Sequence, residues 1–387
     1  MSYNTVMSDR RINVLYLVTE LDVGGAERNL YQLVGRLPSE RYRPVVAALA
    51  GGGEVGTWLG DAGVPVFDLG IRSIGDLLRG LLRLVKLLKG ENVTILHSFL
   101  FHANVLGRFA GRLAGVRVVV SSVRVAERGR PWHVWLDGLT HCLVDAETVV
   151  AEGVRRFTHT RGGVPLRKLV TIHNGVDVAR FQIERSEARE ALHLDRTMPV
   201  VGFVGRFAKQ KGVDLIPRIA REVCRKVKDV RFVLVGDGPL REGVEAGIGR
   251  LGLSESVMVL GRRDDVPTIL AASDIMMLPS RWEGLANVIL EAQAAGAVTV
   301  ATDVEGSREA ILPGVTGVIV PPGRPRAMAD AIVGLIKDGD ERKRLARAAK
   351  ARVGRELSAE RMAELNVELY ERLVGPKRRR GRAAGMP

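Results

Sequence analysis

Short apolar runs recur along the chain, and each is followed by a longer stretch whose apolar positions return every three to four residues. In the first half the short runs fall at 13–18, 44–49, 64–68, 94–97, 117–121, 148–151 and 169–173. In the second half they fall at 200–204, 231–235, 257–260, 275–278, 298–301 and 317–320. The short runs read as strands and the longer stretches as helices. Strands alternating with helices predict parallel sheets built from βαβ units, an α/β class. The halves meet at 181–199, which is polar, rich in Glu and Arg, and ends at Met198-Pro199. We read it as a linker. One more helical pattern, 358–374, follows the second sheet. Residues 375–387 carry a basic run without apolar periodicity, a tail expected to be disordered.

A chain of 387 residues exceeds one typical domain, in keeping with two. The domains are placed at 11–185 and 198–355, each Rossmann-like, with ligands expected in a cleft at the carboxyl ends of the strands. Net charge is +14, from 58 basic and 44 acidic residues. Such a field attracts nucleotide diphosphates, anionic lipid surfaces or nucleic acid, and charge alone does not choose among them. Cys142 and Cys224 lie far apart, which gives neither metal-ligand spacing nor a disulfide framework and fits a reducing compartment. The run Ile12 to Val18 is interrupted by Asn13 and followed by Thr19-Glu20, a strand pattern and not a signal peptide. No uncharged run approaches the roughly 20 residues that span a bilayer. The expectation is a cytoplasmic protein, peripheral at most on the inner face of a membrane.

The richest chemistry lies in Pro279 to Glu291. Glu283 and Glu291 are eight positions apart, slightly over two helical turns, so both carboxylates fall on a similar side. Gly284, Ala286 and Asn287 occupy the helix start, where free backbone N–H groups and the positive dipole end favour a phosphate. A carboxylate nearby suits the hydroxyls of a sugar. This is the pattern of a nucleotide-sugar site. After the first strand, Gly24-Gly25 is either a tight turn or a close approach to ligand. The absence of a G-x-G-x-x-G pattern there disfavours a dinucleotide site. The second half opens with Gly205-Arg206 and reaches Lys211-Gly212. Arg206 can grip a diphosphate with its planar fork, and Lys211 adds a compact charge. Gly236-Asp237-Gly238-Pro239 makes a turn and helix start. In the first half, strand ends offer His97 and Arg124, with His102 and Asn104 at the next helix start. Asp338-Gly339-Asp340 reads as a solvated turn, and no metal site is read from the sequence.

Taken together, these motifs resemble the retaining glycosyltransferases of the GT-B fold, family 4, over about Arg11 to Val374. The resemblance implies two Rossmann-like domains facing across a cleft, with helix 358–374 returning to brace the first. It implies that Glu291 takes the ribose hydroxyls and Glu283 the donor sugar. The backbone of Gly284, Leu285 and Ala286 would lie against the phosphates, with Gly24, Gly25, Gly205, Gly236 and Gly238 around the donor. Arg206 and Lys211 would neutralise the leaving nucleoside diphosphate without a metal or other cofactor. Catalytic roles are expected for His97, Glu283, Arg206 and Lys211, and acceptor contacts for His102, Asn104 and Arg124. Many family members carry histidine where Arg124 stands, and an arginine cannot act as a base. Glu305 stands where the family often has a second glycine, which leaves the donor sugar open. UDP is the family's commonest nucleotide, so a UDP-sugar is expected.

The expected acceptor is a hydroxyl of a glycan or lipid-linked glycan in cell-envelope or polysaccharide biosynthesis. Residues 76–89 form a basic amphipathic pattern with Leu78, Leu81, Leu82, Val85 and Leu88 on one face. With the basic loop 124–130 and Trp132 and Trp135, it suggests an anionic membrane surface. A nucleotide-sugar epimerase or a phosphorylase on the same fold is an alternative. From a different class come a basic nucleic-acid-binding protein, although no binding motif is present, and a non-catalytic scaffold.

Overall fold

The computed structural model describes residues 11–126, 129 and 131–375. All of the tail read at 375–387 except Gly375, and part of the loop 124–130, lie outside the described residues.

The first sheet contains β1 (Ile12–Val18), β2 (Tyr42–Ala48), β3 (Val66–Asp68), β4 (Ile95–Phe99), β5 (Val118–Val123), β6 (Ala146–Val149) and β7 (Leu169–Thr171). Their order is β3-β2-β1-β4-β5-β6-β7. The second contains β8 (Val200–Val204), β9 (Arg231–Val235), β10 (Val257–Gly261), β11 (Ile275–Leu278), β12 (Val298–Thr302) and β13 (Gly317–Val320), in the order β10-β9-β8-β11-β12-β13. Every pairing is parallel. Both faces of each sheet are covered by helices, so the central strands read as unbroken apolar runs. Strand order reverses between β1 and β4 in one sheet and between β8 and β11 in the other, which opens a crevice at the carboxyl ends of each.

Three departures from the sequence pattern have one cause, polar residues satisfied inside the protein. His97 and Ser98 read as the end of a strand but continue it to Phe99, and both are buried. β6 begins two residues before the apolar run because Glu147, fully buried, accepts from Arg108 Nη2 at 3.1 Å. The polar stretch 181–199 holds a helix, Arg185–Ala191. Arg185 Nη1 and Arg189 Nη2 each reach a carboxylate oxygen of Asp274 at 2.7 Å, which docks that helix on the second half.

The basic amphipathic helix is Leu77–Gly90. It turns Gly80, Leu84 and Leu88 inward, while Leu78 and Leu82 are 68% and 62% exposed. The leucines expected on one face are therefore split between core and solvent. The last helix, Ala359–Val374, starts at Ser358, whose hydroxyl accepts from the Arg361 amide. It returns to the first sheet, where Tyr370 is fully buried and its hydroxyl meets Tyr16 at 3.2 Å and His97 Nδ1 at 2.7 Å.

Candidate functional site

The carboxyl ends of the two sheets face one another across a cleft of about 820 Å³. From the first half it is lined by the turn 23–28, Arg124 and Asn174. From the second half come Gly205, Arg206, Lys211, Gly236, Arg263 and the segment 283–288 with Glu291. Each is set there by a strand end. β8 delivers Gly205 and Arg206, β9 delivers Gly236, and β11 leads into the glutamate segment. Two positions require glycine because backbones nearly touch. At Gly236, with φ 131°, a Cβ would lie 2.0 Å from the Gly205 carbonyl oxygen. At Gly284 it would lie 2.0 Å from the carbonyl oxygen of Arg124 in the opposite half.

Glu283 is buried and accepts from Lys211 Nζ and Ser280 Oγ, both at 2.7 Å. The pair fixes the carboxylate and the ammonium together at the cleft wall. Glu291 is held differently. Burial pushes its carboxyl above the usual range, against the pull of Arg28, Arg180 and Lys211. The Arg28 Nη1 is 3.9 Å away, beyond hydrogen-bond reach, so the carboxylate oxygens keep their capacity to accept. Helix Asn287–Ala295 begins at Ala286 without a side-chain cap, leaving its first amides directed at the cleft. Arg206 is exposed, and among the described residues it has no ion-pair partner. A cationic fork, a second cation, uncapped amides and an accepting carboxylate suit a phosphate-bearing ligand with vicinal hydroxyls.

Across the cleft, burial pushes the Arg124 guanidinium down to about 10, with the Glu27 carboxylate opposing that shift. Burial also raises the Glu27 carboxyl. Arg124 Nη2 donates to Asn174 Oδ1 at 2.6 Å, and its guanidinium carbon sits 5.6 Å from the Phe99 ring centroid. Leu100, at the rim, has φ 72° and ψ 158°, a backbone region nearly reserved for glycine. Such strain costs about 1–3 kcal/mol and collects at functional sites.

Asparagines join the halves. Asn287 Oδ1 accepts from Asn29 at 3.1 Å and from Asn174 at 2.7 Å, and Asn287 Nδ2 donates to the Gly25 carbonyl at 3.0 Å. Asn174 Nδ2 also donates to the Leu285 carbonyl at 2.7 Å. Val125 and Gly284 form an antiparallel bridge. Farther out, Glu309 accepts from the amides of Glu152 and Gly153 at 2.7 and 3.2 Å and lies 2.9 Å from His173 Nε2. The two halves are closed on each other.

Gly24, Gly25, Gly205, Arg206, Lys211, Gly236, Glu283, Gly284, Leu285, Ala286, Glu291 and Arg124 therefore share one cleft. Four other candidates lie outside its lining. Gly238, with φ 151°, packs under Phe207 and shapes the loop. His97 is buried behind Arg124, between Tyr370 and the Thr148 hydroxyl, which lies 3.4 Å from Nε2. Burial, then the charge of Arg124, lowers its imidazole to about 3, so it is neutral. His102 is exposed, edge-on to Phe101 and His133. Asn104 donates to the Ser122 carbonyl at 3.0 Å and lines a smaller pocket beside the cleft. Sequence reasoning missed Glu27, Arg28, Asn174 and Arg263. The first two follow Gly24-Gly25-Ala26, and Asn174-Gly175, three residues past the end of β7, is a turn signature that could have marked the third.

Two facing, doubly wound parallel sheets with a cleft between them and a returning terminal helix define the GT-B class of fold. The solved structure of Anabaena HepE in complex with UDP superposes with a TM-score of 0.84 at 22% identity, covering 93% of this chain and 100% of that one. Sucrose-phosphate synthase from Thermosynechococcus elongatus superposes at 0.80 with 18% identity, covering 94% and 99%. Residues 23–180 match the family model Glycosyltransferase Family 4, and residues 184–352 match Glycosyl transferases group 1. The chain belongs to glycosyltransferase family 4. Alpha-D-kanosaminyltransferase of Streptomyces kanamyceticus is 39% identical over 173 residues, 44% of this chain and 45% of its own. UDP-Gal:alpha-D-GlcNAc-diphosphoundecaprenol alpha-1,3-galactosyltransferase of Escherichia coli is 31% identical over 257 residues, 63% of this chain and 66% of its own. These two matches span less than two thirds of the relatives' lengths. The 2-deoxystreptamine glucosyltransferase of Streptomyces kanamyceticus is 26% identical over 370 residues, 90% of each chain.

Proposed function

We propose that this protein transfers a sugar, with retention, from a nucleotide diphosphate sugar to a hydroxyl of a glycan or lipid-linked acceptor. The observation that carries the proposal is the cleft wall of the second half. Arg206, Lys211 and the uncapped helix start converge there beside Glu291, whose oxygens have spare acceptor capacity. In this reading Glu291 receives the ribose hydroxyls, and Arg206 with the amides of 284–286 holds the diphosphate. Glu283, fixed by Lys211 and Ser280, receives a hydroxyl of the donor sugar. The bond between C1 and the β-phosphate oxygen breaks as the acceptor oxygen bonds C1 on the same face. The acceptor proton passes to the departing β-phosphate. Arg206 and Lys211 stabilise the charge that develops on the leaving group, and the closed halves exclude water.

UDP is the nucleotide we assign, supported by UDP in the HepE complex and by the UDP-galactose donor in the name of the Escherichia coli relative. That relative's acceptor is a diphosphoundecaprenol glycan, and another relative is a lipopolysaccharide core mannosyltransferase of Rhizobium meliloti. Both favour an envelope acceptor. Among the described residues no helix is long and apolar enough to cross a membrane. Ile74, Leu78 and Leu82 stand exposed beside Arg79, Lys86 and Lys89, a face suited to an anionic bilayer surface.

Donor hydrolysis by the purified protein, followed by NMR, tests the reaction. Retention predicts that the α-anomer of the sugar appears first from an α-linked UDP-sugar. First appearance of the β-anomer would overturn it.

A further inference from the structure

We propose that the acceptor carries a linear apolar chain, alkyl or isoprenyl, and that this chain leaves the cleft through a passage between helices Pro131–Thr140 and Glu152–Gly162. The inference rests on the glycosyl-transfer reading and adds the class of acceptor. A small pocket of about 70 Å³ adjoins the cleft, and the two share Leu100, Arg124 and Val125 as walls. That pocket in turn shares Val134, Phe157 and Gly162 with an outer groove of about 860 Å³. The three spaces thus lie side by side in series from the cleft to the surface, separated by side chains of Leu100, Val125, Val134 and Phe157 that a ligand would have to part.

The walls of the path select what fills it. Phe101, Val123, Val134 and Phe157 supply apolar surface. Two of the polar side chains present are already engaged within the protein. Asn104 donates to the Ser122 carbonyl at 3.0 Å, and Asp137 accepts from the fully buried Arg108 at 2.7 Å. A glycan here would find Asn104 and Asp137 already engaged, whereas a hydrocarbon packs on the apolar walls and needs no partner. The passage is also narrow. A Cβ at Gly138 would lie 1.9 Å from the Gly162 carbonyl oxygen, so the two helices touch backbone to backbone there and leave room only on the Val134 and Phe157 side. A linear chain fits such a slot better than a ring.

Both ends of the path agree with this occupant. At the inner end stands Arg124, a cation suited to a phosphate that would join the chain to the sugar. At the outer end Trp135 and Leu139 are 67% and 60% exposed, with Trp132 on the same helix at 55%. Exposed tryptophans suit a boundary where one side is apolar and the other wet. The strained Leu100 forms the threshold between cleft and path.

Decyl phosphate below its micellar concentration is the probe, titrated into the full chain by calorimetry, with ethyl phosphate and UDP in parallel. Val134→Trp fills the passage, and Phe157→Ser makes its wall polar as a second, independent variant. Saturable binding of decyl phosphate is expected, weakened at least about tenfold in both variants, the effect of losing roughly two buried methylenes. UDP affinity should be unchanged in both, which also reports an intact fold. Equal affinity for ethyl and decyl phosphate, or decyl phosphate binding unaltered in both variants, overturns the proposal. So does sedimentation showing that decyl phosphate merely dissociates a dimer of this chain. If wild type binds decyl phosphate as expected but no nucleotide, the passage stands and the donor reading fails.

Discussion

Replacing Asn287 with alanine should open the protein without unfolding it. The side chain makes three hydrogen bonds to the opposite half: it accepts from Asn29 and Asn174 and donates to the Gly25 carbonyl. At a net ~0.5–1.5 kcal/mol each, their sum reaches about 1.5–4.5 kcal/mol. The lower part of that range applies, because the partners keep other bonds. Asn29 Nδ2 still reaches the Gly25 carbonyl at 2.8 Å, and Asn174 Nδ2 still reaches the Leu285 carbonyl at 2.7 Å. A shift of about 1.5–3 kcal/mol against the closed form lowers kcat/KM roughly 10- to 100-fold if chemistry requires closure. Steady-state donor hydrolysis gives the rate, and small-angle scattering gives the shape. The expected result is a fall in kcat/KM with a larger radius of gyration and a nearly unchanged Tm. A kcat/KM within twofold of wild type, with unaltered scattering, would refute closure by this network.

Arg206→Ala removes an exposed cation with no ion-pair partner among the described residues, so UDP affinity should fall by about 1.5–3 kcal/mol, roughly 10- to 100-fold, while thermal stability stays put. Calorimetry and thermal denaturation check both halves of that statement. His97 contributes stability above its ordinary value of 6.5 that is lost as pH falls towards its folded value of about 3. The slope is about 1.4 kcal/mol per pH unit. His97→Gln, which keeps a partner for Tyr370, should show a shallower loss of stability below pH 6.5 in denaturant titrations and keep donor hydrolysis within a few-fold. Burial pushes the Glu309 carboxyl up, but His173 and the amides of Glu152 and Gly153 outweigh it, and the net shift is downward from 4.5. Its stabilisation is therefore present above 4.5 and lost as pH falls through the lower folded value. Glu309→Gln should be less stable than wild type by about 1–2 kcal/mol at neutral pH, the scale of a lost helix cap, and the two should converge in acid.

The alternation of strands and helices was legible because central parallel strands are apolar throughout and leave a clear signature. Arg206 and Lys211 could be read because they lie in the loop that leaves β8, and Glu283 and Glu291 because they lie in the loop and helix that follow β11. The two-turn spacing of the glutamates did not hold, since the helix begins only at Asn287 and Glu283 precedes it. What the pattern hid was pairing over long distances. Arg185 and Arg189 look like a solvated linker until Asp274 meets them. Glu147 falls just before the apolar run 148–151 and joins the strand only because Arg108 meets it inside. His97 reads as a polar strand end facing a ligand, yet its partner is Tyr370, 273 residues away on the returning helix. Asn174 and Asn287 gain their roles only when the two halves meet. The split of leucines on helix Leu77–Gly90 was also out of reach, since both Leu78 and Leu88 fit an apolar stripe and only packing separates them.

Calorimetric titration of UDP, GDP and ADP into wild type and Glu291→Ala tests the central claim most directly. The account predicts saturable binding of UDP, at one site per chain, weakened at least about tenfold when the carboxylate that receives the ribose hydroxyls is removed. Absence of binding by all three nucleotides, or binding indifferent to Glu291, would contradict it.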